Sequence, residues 1–246
     1  MRAAQDVVDT RDRILDVAER LFAEHGYSNV PTRQITDAAG ANTAAAHYHF
    51  GSKDRLLEAV FRRRLDPLNR ERIGLIDAVV ARSDGRPSVE DVVRAFVEPT
   101  WREPQSEGER LFRLLSGRAS TDPNPEVRKV LFEAYDAVAH AFVDAVAMAC
   151  PHLSKQELFW RIACIYGAML YIRADNGRLQ AVFGEGFSLS DPEGAMRYAL
   201  PFLVGGLSRP PADAPGASQA EPNPLAKSEK PAEPRRPAPR PRVRMT

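Results

Sequence analysis

The sequence predicts an all-α protein, and three observations carry that prediction. Apolar residues recur at i, i+3, i+4 and i+7 along most of the chain as far as residue 208, the spacing of one helix face. No segment alternates apolar and polar residues as a half-buried strand would. Gly, Pro and polar clusters interrupt the helical pattern, and Ser, Thr or Asn stands at many of the predicted helix starts.

The composition suits a globular protein: 246 residues, 43% apolar and 27% charged. The net charge of +1 does not announce nucleic-acid binding, so any DNA affinity must come from local placement of charge. Cys150 and Cys164 lie in apolar helical patterns, outside any CxxC or Cys/His set, and are expected as buried free thiols. The stretch MRAAQDVVDTRDR has no apolar core of a signal peptide. No apolar run approaches the ~18 residues of a membrane span. A cytoplasmic protein without membrane attachment, metal or cofactor is expected.

Residues 1–9 read as a frayed arm. From Thr10 to His25 a stripe of Ile14, Leu15, Ala18, Leu21 and Phe22 predicts an amphipathic helix, closed by Gly26. Thr32 can cap a second helix running through Ile35 to Ala39, and Gly40 supplies a turn in which positive φ is cheap only without a Cβ. Asn42 or Thr43 can cap a third helix carrying three alanines, then His47, Tyr48, His49 and Phe50. A helix, a glycine turn and a second helix over Thr32–Lys53 is the sequence form of a helix-turn-helix, whose second helix enters the DNA major groove.

Ser52 caps a fourth helix with Leu56, Leu57, Val60, Phe61 and Leu65 on its apolar side, and Pro67 is expected to kink or divide it. The pattern continues through Leu68, Ile73, Ile76 and Val79 to a break at Ser83–Pro87. Ser88 with Asp91 opens the next helix, which Pro99 and Pro104 bracket; another follows over Glu107–Ser120. Pro125 opens a long helix to Cys150. Ser154 with Glu157 forms a capping box for the run LFWRIACIYGAMLYIR, apolar almost all round and therefore expected to be covered on several sides. Gly184–Ser190 is read as a loop and Asp191 as the start of a last helix bent at Pro201. Residues 209–246, rich in Pro, Ala and Arg, are expected to be disordered.

The run from Thr10 to Phe61 resembles the DNA-binding region of the TetR family of bacterial repressors. The resemblance rests on Ile14, Ala18, Leu21, Phe22, Gly26 and Tyr27, then Thr32, Ile35, Ala39 and Gly40, then Tyr48, Phe50, Lys53 and Leu56. Two positions depart from the family's pattern: Ala41 stands where Val is usual, and His47 where Tyr is usual. ELFWRI at 157–162 and MRYALPFLVGG at 196–206 are similar to a branch responsive to long-chain fatty acids or acyl-CoA. The resemblance implies a DNA-binding head at 10–55, a helical ligand-binding and dimerisation domain at 56–208, and a non-enzymatic repressor. That repressor would act as a homodimer on a palindromic double-stranded operator and be released by a small hydrophobic effector.

On this basis the expected DNA-facing residues are Thr32, Arg33, Asn42, Thr43, Ala44, His47, Tyr48, His49 and Lys53. Thr32 and Arg33 stand at a helix start that favours phosphate. Asn42 either reads adenine or serves only as a cap, and Thr43 and Ala44 can touch a thymine methyl. His47 and His49, two residues apart on a helix, point too far apart to chelate one metal ion. Phe96, Trp101, Phe112, Phe132, Tyr135 and Trp160 are candidate effector contacts, and Arg118 or Arg173 a candidate anion partner; plain core packing is the competing reading for the aromatics. Two alternative functions are a nonspecific nucleic-acid coat using the arginines of the tail and an enzyme on a helical scaffold.

Overall fold

A computed structural model describes residues 2–120, 122–174 and 177–211, with the backbone alone for 2–9. The expected disordered tail falls almost wholly outside these residues. The described residues hold helices and turns and no strand.

Helix α1 spans Arg2–His25, eight residues longer at its start than expected. Residues 2–9 contain no Gly or Pro to stop a helix, and Ala3, Ala4, Val7 and Val8 continue the helical spacing of Ile14 and Leu15 toward the start. Gly26 (φ 78°) ends α1, and a 3-10 turn at Tyr27–Asn29 leads to α2 (Thr32–Ala38). Thr32 is the first helical residue; Pro31 occupies the cap position, so the expected Thr32 cap is absent. At the end of α2 the amide of Ala41 donates to Thr36 O (2.9 Å) and that of Gly40 to Asp37 O (3.2 Å). These paired bonds need a left-handed residue between them, and Gly40 has φ 61°. Helix α3 (Thr43–Phe50) follows, capped by the Asn42 side chain, which accepts from Ala45 N at 2.7 Å.

Helix α4 (Lys53–Ala81) starts at a Ser52 cap and passes Pro67 without a break. A proline here removes one helix hydrogen bond, but α4 is packed on both sides of it: Leu57, Val60, Phe61 and Leu65 before, Ile76 and Val79 after. Helix α5 (Val89–Trp101) ends between Pro99 and Pro104, as expected. Helices α6 (Glu107–Ala119), α7 (Pro125–Ala149) and α8 (Lys155–Ala174) follow as expected. A short α9 (Arg178–Phe183) was not legible in the sequence. The last helix is three pieces: α10 (Pro192–Gly194), a π turn at Ala195–Ala199 and α11 (Leu200–Ser208). Pro201, which cannot donate to a carbonyl four residues back, follows directly on the wide turn and accounts for it.

Two apolar cores share α4. The first joins α1, α2 and α3 to α6 and the start of α7 through Phe22, Ile35, Phe50, Phe61, Phe112 and Leu131. The second gathers α5, α8, α11 and the rest of α7 around Phe96, Phe142, Ile165 and Leu203. The head is thus continuous with the larger helical body, and residues 56–65 belong to its core. Polar links fasten the same joint. Glu19 on α1, almost fully buried, accepts both Arg64 Nε (2.8 Å) and Nη2 (2.9 Å) and also pairs with Arg63, both on α4. Arg118 on α6 donates to the carbonyls of Ala23 and Glu24 at the end of α1, where the helix dipole favours a cation.

The expectation that α8 is covered on several sides is not met within one chain. Phe159 and Trp160 are 63% and 61% exposed, and Tyr171, Gly167 and Cys164 lie on the same open face. Cys150 is buried, but Cys164 is exposed, because it lies on this uncovered stripe of α8 rather than on the core side with Ile162 and Ile165. Tyr198, Pro201, Phe202, Gly205 and Gly206 form a second exposed apolar stripe at helical spacing, with Phe202 78% exposed.

Candidate nucleic-acid interface

The head positions its polar residues through its core. Ala46 and Phe50 fix α3 by being buried against α1 and α4. The opposite side of α3 therefore faces outward, and Thr43, Ala44, His47 and Tyr48 are exposed on it. Tyr48 is the extreme case, with 80% of its surface open although it is a large aromatic. An exposed tyrosine on a helix whose core side is already satisfied has no folding role to explain it. His49 is partly buried, its ring 5.2 Å from that of Tyr48 and 6.1 Å from that of Phe50.

A cleft of about 170 Å³ opens between the starts of α2 and α4 and the outer side of α3. Thr32, Thr43, His47, Ser52 and Lys53 line it. The first turns of α2 and α4 border this one small concavity, with the amide of Gln34 paired to Pro31 O (3.0 Å) and that of Leu56 to Ser52 O (3.0 Å). Of the residues expected to face DNA, Thr32, Thr43, His47 and Lys53 line this cleft, together with Ser52, whose Oγ accepts from Arg55 N at 3.2 Å. Arg33 is exposed beside Asp37 (3.7 Å), and Asn42 is exposed while capping α3.

Lys53 is different. Its Nζ donates to Tyr27 O at 2.6 Å and lies 4.0 Å from the centre of the Tyr27 ring. Burial holds its pKa below the ordinary lysine value, with Asp54 opposing that shift. The Tyr27 hydroxyl in turn donates to Asp54. Burial, then this bond and the carboxylate's charge, raise the tyrosine's pKa well above its ordinary value. Lys53 and Asp54 thus clamp the turn after α1 to the start of α4.

The expected effector residues come together only in part: Phe96, Trp101, Tyr135 and Arg173 gather at the second core, and the others lie elsewhere. Phe96 is stacked on Phe142 (4.0 Å between centroids) in the second core, and Trp101 is buried beside it in the same cluster. Phe112 is in the first core, edge-on to Phe61. Phe132 is 57% exposed, and Trp160 lies on the open face of α8. Arg118 is spent on the end of α1. Tyr135 and Arg173 do meet: Arg173 Nη1 donates to Tyr135 Oη (2.6 Å) and to Ser116 Oγ (2.8 Å). Aromatic spacing alone cannot tell which side of a helix faces which core, and that is why these candidates scatter. A separate cleft of about 390 Å³ lies between the end of α8, α9 and the π turn, lined by Ile172, Phe183, Phe187 and Tyr198; none of the expected residues lines it.

Next to Tyr135 lies a residue the sequence reading passed over. Arg72 on α4 is 1% exposed. It occupies the apolar register of its helix, four residues before Ile76, and a charge in that register was the available signal. Its Nε donates to Phe96 O (2.8 Å), and its guanidinium sits 4.3 Å from the Phe96 ring centre. Burial pushes its pKa down to about 10, so it remains a cation at neutral pH.

The arrangement as a whole defines a class: a helix-turn-helix head continuous with an all-helical body. Comparison with known proteins then fixes the family. Residues 14–60 match the family model described as bacterial regulatory proteins, tetR family, and residues 94–206 match that described as tetracyclin repressor-like, C-terminal domain. The chain belongs to the TetR family of transcriptional regulators.

It is 42% identical over 55 residues to the HTH-type transcriptional repressor AcnR of Corynebacterium efficiens, which covers 22% of this chain and 29% of that protein. It is 27% identical over 166 residues to the HTH-type transcriptional regulator BetI of Brucella anthropi, covering 66% and 80%. The fold is similar to that of the fatty acid degradation regulator FadR of Bacillus halodurans, with a TM-score of 0.58 and 17% identity over 81% of this chain and 97% of that one. The match to AcnR thus spans less than a third of that relative's length.

Proposed function

We propose that this chain is a sequence-specific, dimeric transcriptional repressor released from a palindromic operator by a small hydrophobic effector. The observation that carries the reading is the outer side of α3, where Tyr48, His47 and Thr43 are exposed beside the phosphate-sized cleft at Thr32 and Ser52. Asn42, Thr43 and Ala44, at the start of that helix, are the residues assigned to base edges. Thr32, Arg33, His47, Tyr48 and His49 are assigned to phosphates, which supply affinity and register rather than sequence. Lys53 supports the interface from behind, through its bond to Tyr27.

A second copy is assigned to the stripes of α8 and α11. They carry exposed aromatics around Gly167, Gly205 and Gly206, and small residues let helices of two subunits approach closely. Regulators of this family act by binding, so the reading requires no reacting group. The effector's class, a fatty acid or its thioester, rests on the resemblance of ELFWRI and MRYALPFLVGG to lipid-responsive members.

Gel-shift and footprinting on the DNA upstream of the protein's own gene test the reading. A protected palindrome with half-sites ~34 Å apart is expected. Tyr48→Ala should weaken binding about tenfold, the size of one lost phosphate hydrogen bond, and leave the fold unchanged. Equal affinity for the palindrome and for bulk competitor DNA would refute specific recognition and favour a nonspecific coat.

A further inference from the structure

The second core contains more positive charge than its own residues neutralise. Arg72 is fully enclosed, yet among the described residues no carboxylate pairs with it, and its Nη1 has no hydrogen-bond partner. Arg173 comes to the same place from α8. Its Nε is buried without a partner, while its Nη1 is held by Tyr135 and Ser116. Both cations act on Tyr135: burial alone would raise the phenol's pKa, but Arg173 and Arg72 outweigh it and hold the value below the ordinary one. Thr100, one helical turn beyond the Phe96 carbonyl that accepts from Arg72, has a buried hydroxyl with no partner either.

A buried guanidinium costs several kcal/mol of desolvation unless an anion compensates it. The chain compensates Glu19 with two arginines, but gives Arg72 no acid at all. Aromatic rings surround Arg72: Phe96 lies against it, Phe142 is stacked on Phe96, and Tyr166 is edge-on to both rings. Arg113 on α6 adds a third positive charge beside Arg173, with Glu109 and Glu103 partly opposing it.

We infer that Arg72 and Arg173 hold the head group of a carboxylate ligand. This deepens the effector-responsive reading and rests on it. It also chooses between the two lipid forms: a free carboxylate fits two convergent guanidinium groups, whereas the acyl thioester presents a neutral carbonyl at the same point. The site has a direct line to the DNA-binding head. Ser116, which accepts from Arg173, and Arg118, which donates to the end of α1, are two residues apart on α6. Drawing Arg173 toward a ligand pulls on the helix that braces α1.

Calorimetry on the full-length protein tests the site, with butyrate, octanoate and dodecanoate as probes, 1-octanol as the uncharged control and inorganic phosphate as the bare anion. One of the carboxylates should bind at least about tenfold more tightly than the alcohol. Arg72→Met should weaken that binding about 30-fold or more, the loss typical of removing one partner from a buried charge pair. The melting temperature of the ligand-free Arg72→Met protein should hold or rise, because an uncompensated cation has gone. Arg173→Gln, at a less buried position, should weaken binding in the same direction and serves if Arg72→Met does not fold.

The proposal is overturned if no carboxylate binds, if octanol binds as well, if phosphate binds as tightly as the best carboxylate, or if both variants keep full affinity. An Arg72→Met protein that melts earlier and binds as before would make Arg72 a structural residue. Gel-shift without ligand separates the two levels. Operator binding with no carboxylate binding removes only this site, and carboxylate binding with no operator binding removes only the repressor reading.

Discussion

Lys53, Asp54 and Tyr27 show how a few side chains hold the DNA-binding head in register with the long helix behind it. Lys53 reaches back over the Tyr27 ring to its carbonyl, and Tyr27 reaches across to Asp54. Lys53→Ala should therefore destabilise the protein by ~2 kcal/mol, the range for a hydrogen bond from a charged donor. The tyrosine adds a pH dependence of known sign. Its pKa in the folded chain lies above that in the unfolded chain, so its stabilising contribution is whole below pH ~10 and is lost as pH rises past that value. Urea unfolding between pH 8 and 11 should show a steep alkaline decline that Tyr27→Phe flattens. The same slope in both proteins would show that the tyrosine titrates alike in both states.

Between helices, the joint of α1 with α4 is carried by a buried carboxylate that faces two arginines. Glu19→Gln removes the charge and leaves Arg63 and Arg64 half-enclosed, so it should cost ~3 kcal/mol, the order seen when a buried pair loses one partner. Thermal unfolding checks this, and a change below half a kcal/mol would mean that water replaces the carboxylate. Helix starts were legible where a stripe met a cap: Ser52, Ser88 and Ser154 each accept from a first-turn amide. They were not legible at the start of α1, or where packing overrides proline, as at Pro67. In the head the outward side of α3 followed from Ala46 and Phe50. The inward path of Lys53 did not, because its partner is a main-chain oxygen 26 residues away that no side-chain pattern marks.

At the scale of the whole molecule, α8 and α11 each leave large aromatic side chains open, Phe159, Trp160 and Phe202 among them. Phe202→Asp should shift the protein from dimer to monomer in sedimentation and reduce operator affinity at least tenfold, since one head then contributes alone. A Phe202→Asp protein that sediments as a dimer would place the interface elsewhere. In the proposed dimer the length of α4 matters. Pro67 leaves the carbonyl of Arg63 without its helical donor near the seam between the two cores. Bending is cheapest at that point of the rod. The 14 residues from Leu68 to Ala81 form an arm of about 21 Å, so a hinge of ~10° displaces its far end by about 4 Å. A helix pinned by two cores and weakened between them is a beam with a built-in fulcrum, through which ångström-scale repacking on one side becomes a change of gauge between two heads on DNA.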